Sequence, residues 1–81
     1  MDRTTGEIIM AFTNTLTIAR NNQISDPLTF LMLRATLSGL ISALKSLVEE
    51  GKCPPIEVEH CEKMFKSLYI AEEMRDLCDN A

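Results

Sequence analysis

The feature that most constrains this 81-residue chain is an apolar run from Leu28 to Val48, in which only Arg34 and Lys45 carry charge. Just before the run, Asp26-Pro27 is a helix start signal: the carboxylate can accept first-turn amides, and proline is tolerated at the first helical position. A glycine and two prolines follow the run and predict its end. We therefore predict one long helix over about residues 27 to 50.

This helix has two apolar sides when residues are placed about 100° apart. A broad sector is predicted to face the core, and it holds Phe30, Leu33, Leu37, Leu40, Ile41, Leu44, Leu47 and Val48. Nearly opposite lies a small-residue ridge of Ala35, Gly39 and Ala43, joined by serines and by Leu28. Because glycine within a helix costs roughly 1 kcal/mol relative to alanine, the ridge indicates close contact with another helix. The alternative is an exposed surface that happens to carry small residues.

Two further helices flank the long one in the sequence. Thr4 and Glu7 have the capping-box spacing and predict a first helix over about 4 to 20. Apolar residues at helical spacing after Pro55 predict a third helix over about 56 to 78. We expect a single all-α domain spanning 1–81, an antiparallel three-helix bundle with a long central helix. The aliphatic surplus favours a homodimer whose central helices cross near Gly39 about a two-fold axis.

The net charge of −4 is unevenly distributed along the chain. Residues 49 to 81 hold nine acidic and four basic side chains, whereas residues 1 to 48 hold three and four. An acidic half repels phosphates, so we predict no direct binding to nucleic acid. Glu62, Glu73 and Asp76 are candidates for a charged docking face on a basic partner. The alternative is a solvated acidic helix surface.

The three cysteines, Cys53, Cys61 and Cys78, contain no CxxC pair and predict reduced thiols in a cytoplasmic protein. A bridge between Cys53 and Cys61, or between two chains, stays open. His60 and Cys61 point about 100° apart on a helix, which suits a shared metal ion poorly. With one histidine and no glycine-rich turn, we predict no catalytic site, no metal and no cofactor, and hence no enzyme.

The apolar run is also long enough to span a bilayer. Arg34 and Lys45 would each cost about 2.5 to 3.5 kcal/mol near the centre of a spanning helix. The N-terminus has no apolar segment before Glu7 of the kind found in secretory signals. We therefore predict a cytoplasmic protein without a spanning helix.

These observations favour a small non-enzymatic interaction protein, an adaptor, inhibitor or chaperone-like regulator that presents a helical surface to another protein. Its predicted contact residues are Ala35, Gly39 and Ala43 on the ridge and Glu62, Glu73 and Asp76 on the acidic helix. One alternative is an acidic accessory factor that modulates a nucleic-acid-binding protein in transcription or replication. A second is a membrane-associated helical peptide.

Overall fold

The computed structural model describes residues 2–23 and 25–80, and side chains as far as Leu68 in the last helix. Three helices and no strands are found in these residues: α1 (Arg3–Asn22), α2 (Pro27–Glu49) and α3 (Pro55–Asn80). The predicted all-α, three-helix organisation is therefore confirmed. Each helix boundary lies within two residues of its predicted position.

The start of α1 differs from the prediction. Asp2, and not Thr4, is the N-cap residue, and its side chain makes no capping hydrogen bond. Glu7 instead forms an exposed ion pair with Arg3, with 3.3 Å between Arg3 Nε and Glu7 Oε1. The predicted capping box is wrong because the N-cap lies two residues before Thr4, and the Glu7 carboxylate pairs with Arg3 one turn away.

Both ends of α2 follow their sequence signals. Asp26 accepts a hydrogen bond from the Thr29 amide at 3.2 Å and a second from the Thr29 hydroxyl at 2.6 Å. At the other end Gly51 has a φ of 75°, and its amide donates to Val48. The Lys52 amide donates to the carbonyl of Leu47 at 2.9 Å. These two backbone bonds form a Schellman motif, for which glycine is the favoured residue.

The helices pack around the predicted broad sector of α2. Leu37 and Leu44 are completely buried, and Phe12, Leu16 and Ala19 from α1 and Val58, Cys61 and Leu68 from α3 join the same core. The start of α1 is tied to Lys52 beyond the end of α2, so the two helices are antiparallel. Lys45 of α2 pairs with Glu62 of α3 at 3.1 Å, close to the connection between those helices, so α3 also runs antiparallel to α2.

The opposite side of α2 is not covered by either neighbour. Ala35 and Gly39 are exposed and Ala43 is half-buried. The buried residues of α2 are all on the broad sector, namely Phe30, Leu37, Ile41, Leu44 and Leu47. Among the residues with described side chains, the chain therefore covers only one of the two faces of its central helix.

Candidate helical interaction surface

The uncovered side of α2 carries large apolar side chains as well as small ones. Leu28 is 70% exposed, Met32 is 66% exposed and Leu31 is 49% exposed. They occupy the N-terminal half of the side whose middle is formed by Ala35 and Gly39. Exposed apolar residues are common singly, but contiguous ones on one helix face indicate an interaction site.

Six residues on this side form a regular series, which we call the outer face: Leu28, Met32, Ala35, Gly39, Ser42 and Ser46. Their spacing alternates between four and three residues, which is the heptad spacing of a coiled-coil seam. All six are exposed and none carries a charge. At about 100° per residue, Arg34 and Lys45 lie on the flank of this seam and not within it. The outer face therefore has the pattern of a surface that packs against another helix.

Gly39 has open space around it. A Cβ atom built at this position would meet no heavy atom within 4 Å. The fold of the single chain therefore does not require glycine here, although glycine lowers the stability of the helix. A requirement for close approach by a second helix would account for the residue.

The candidate acidic docking face is only partly within the described side chains. Glu62 forms an ion pair with Lys45. The Glu62 side chain is 35% exposed and the Lys45 side chain is 59% exposed. The side chains of Glu73 and Asp76 lie outside the described residues. The acidic face therefore stays a prediction, and its one described member already has a basic partner within the chain.

The two described cysteines are buried free thiols, Cys53 at 5% exposure and Cys61 at 2%. Burial raises the pKa of both thiols, and the negative charge of Glu57 raises the pKa of each further. Within the residues whose side chains are described, no group of three His, Cys, Asp or Glu side chains is placed to hold a metal ion. Cys61 packs in the core as a small apolar residue.

By length and composition alone, α2 (Pro27–Glu49) is long and apolar enough to cross a membrane, with a mean hydropathy of 1.4 over its most apolar window. Of that window, 22% is buried inside the fold. The core helix of a soluble protein, which is mostly buried, and a signal sequence near the N-terminus can have the same length and composition.

Leu31 and Met32 were not among the predicted contact residues, although with Leu28 they are the most exposed large apolar residues on this side of α2. The alternating four and three spacing from Leu28 to Ser46 is a signal that would have found Met32.

Comparisons with models of protein families, with curated proteins and with solved structures find no match to this chain.

Proposed function

We propose that the protein is a small non-enzymatic interaction module that binds another protein through the outer face of α2. The observation that carries this proposal is the contiguous exposure of Leu28, Leu31 and Met32 on an uncharged side of a helix whose other side forms the core. Exposed apolar anchors at helical spacing are the means by which a helix binds a partner helix or groove. An adaptor, an inhibitor and a chaperone-like regulator all require only such a surface. The buried reduced thiols support a cytoplasmic location.

The proposal is tested by affinity capture from the native cell with three tagged forms of the chain. Met32→Glu places a charge in the outer face, whereas the matched control Thr17→Glu places one on an exposed position of α1. We expect the wild type and the control to retain the same protein partners and Met32→Glu to lose them. Equal recovery of partners by all three forms would show that the outer face is not the binding surface.

A membrane-associated helix is the second candidate, and the observation that favours it is the hydropathy of α2. Against it, Leu37 and Leu44 are wholly buried in the core, so the α2 side that holds most of the leucines is occupied by α1 and α3. Flotation with phosphatidylcholine and phosphatidylglycerol vesicles separates the two candidates. We expect the detergent-free protein to stay soluble and not to float; flotation that is lost in Met32→Glu would favour the membrane candidate.

The acidic accessory factor remains a proposal that rests on composition, with nine acidic side chains in residues 49 to 81. It predicts that the purified protein changes DNA binding by a partner while showing no salt-dependent DNA affinity of its own.

A further inference from the structure

Large residues lie at one end of the outer face of α2 and small residues at the other. Leu28 and Met32 are at one end, Ala35 and Gly39 are in the middle, and Ser42 and Ser46 are at the other end. A partner helix that fits this face needs small side chains opposite Leu28 and Met32 and larger ones opposite the serines. Close packing requires such alternation of large and small residues across facing positions.

We infer that the occupant of the outer face is a second copy of this chain. Its α2 packs antiparallel to the first, about a two-fold axis that passes midway between Ala35 and Gly39. This inference rests on the proposed function, because it names the partner of the same surface. In this register Leu28 faces Ser46 of the second copy, Met32 faces Ser42, and Ala35 faces Gly39. Each large residue meets a small one, and every such contact occurs twice.

The register also agrees with the geometry of antiparallel coiled coils. Successive residues of the outer face occupy heptad positions d and a in turn. The two-fold axis places each d residue of one copy opposite an a residue of the other. Ala35 and Gly39 stand beside the axis, where small side chains let the helix backbones approach at the near end of the usual range of about 8 to 10 Å. A parallel pair would instead set Leu28 against Leu28 and Ser46 against Ser46 of the second copy, which leaves one end crowded and the other open.

The small extent of the face indicates a weak dimer. From Leu28 to Ser46 the seam is about 27 Å long, and a helix with its side chains is about 11 Å wide. The projected contact is therefore about 300 Å² on each copy, below the roughly 800 Å² per partner of a standard stable interface. We expect a weak, reversible dimer whose population rises with protein concentration.

Sedimentation equilibrium from about 10 μM to 1 mM tests the dimer. With rising concentration, the apparent mass of the wild type is expected to increase from the monomer mass of 9.1 kDa toward twice that mass. Met32→Glu should remain monomeric over the range, because it places an unpaired charge in the seam. Gly39→Leu should also remain monomeric, because a bulky side chain separates the backbones. Gly39→Leu makes the surface more apolar, so a general hydrophobic association would strengthen instead. Circular dichroism verifies that each variant is folded.

A charge exchange tests the register. In the double variant Met32→Glu/Ser42→Lys each new carboxylate faces a new ammonium of the second copy, so dimerisation should recover at least tenfold over Met32→Glu alone. The matched control Met32→Glu/Ser46→Lys places the ammonium opposite Leu28 and should not recover. A parallel pair would set like charges together in the first variant and would keep it monomeric.

Each other result overturns the inference. A wild type that is monomeric at 1 mM, or a dimer unaffected by both Met32→Glu and Gly39→Leu, removes the second copy as the occupant. Equal recovery in the two charge-exchange variants, or recovery in neither, removes the antiparallel register. A monomeric wild type that still captures a protein through Met32 would refute the inference and leave the proposed function standing, whereas vesicle binding through Met32 would refute both.

Discussion

The hydroxyl of Thr5 donates a hydrogen bond of 3.0 Å to the main-chain carbonyl of Lys52 and ties the first turn of α1 to the connection between α2 and α3. Thr5 is completely buried, and it is the one buried polar residue in the part of the chain with described side chains. The Asp2 amide approaches the same carbonyl at 3.5 Å. This contact orients α1 against the end of α2, and its strength can be measured.

We expect Thr5→Val to lower the free energy of unfolding by about 1 kcal/mol, because the substitution keeps the shape of the side chain and leaves the Lys52 carbonyl without its hydroxyl partner. For a domain of this size that corresponds to a fall in melting temperature of about 4 to 8 °C. Urea unfolding followed by circular dichroism measures the change. The control is Thr13→Val, since the Thr13 hydroxyl bonds only to the Ile9 carbonyl on the exposed side of α1. If both variants were equally stable, the tie to Lys52 would contribute nothing.

Substitution by alanine should lower the stability of the fold at Gly51 and raise it at Gly39. Gly51 has a φ of 75°, and an L residue in this region costs about 1 to 2 kcal/mol, so Gly51→Ala should destabilise the protein by that amount. Gly39 lies within α2 with open space around it, so Gly39→Ala should stabilise the monomer by up to about 1 kcal/mol. Both are measured by thermal unfolding at 10 μM, where the monomer is expected to dominate. A destabilising Gly39→Ala at this concentration would contradict the open environment.

The Asp26 cap predicts a dependence of stability on pH. Hydrogen bonds from the Thr29 hydroxyl and then the Thr29 amide lower the pKa of Asp26 below its ordinary value of 3.8. Because the pKa is lower in the folded state, the stabilisation is fully present above pH 3.8 and is lost as the pH falls through the folded pKa. We expect Asp26→Ala to have a lower melting temperature than the wild type at pH 7.

The difference in melting temperature between the wild type and Asp26→Ala should become smaller below pH 3.8. Asp2→Ala is the matched control, because the Asp2 side chain makes no capping bond, and it should leave the melting temperature unchanged. A gap between wild type and Asp26→Ala that is constant from pH 7 to pH 2 would argue against the carboxylate as the cap.

The buried thiols predict slow alkylation. The raised pKa values of Cys53 and Cys61 keep these thiols protonated at neutral pH, and burial limits access to them. In folded protein carrying Cys78→Ser, iodoacetamide should label Cys53 and Cys61 at least tenfold more slowly than in urea-unfolded protein. Peptide mass spectrometry separates the two sites. Rapid labelling of Cys61 in the folded state would contradict its place in the core.

Most of the fold could be predicted because its signals are local. Asp26 before Pro27 and Gly51 after Glu50 set the ends of α2 through hydrogen bonds made within a few residues. The apolar sector from Phe30 to Val48 likewise follows from helical spacing alone, and all its members are buried or half-buried. The same local reasoning failed at Thr4, where an ion pair between Arg3 and Glu7 competes with the cap.

What could not be predicted depends on contacts between distant residues. No local pattern indicates that Thr5 bonds to Lys52, which is 47 positions away. The exposure of Leu31 and Met32 also required the structure, because it depends on where α1 and α3 pack around α2. The sequence therefore placed Leu28, Ala35, Gly39 and the serines on this side, whereas Leu31 and Met32 were added once the packing was known. Ala43, the third predicted ridge residue, is half-buried and lies outside the outer face.

The tie between Thr5 and Lys52 has a consequence for the order of events during synthesis. The first helix leaves the ribosome complete, yet the carbonyl that holds its start is added 47 residues later. Helices α1 and α2 can therefore form this hydrogen bond only after the residues that follow α2 have emerged. We expect the nascent chain to gain its protease resistance in one late step, after the loop that contains Lys52 has cleared the exit tunnel.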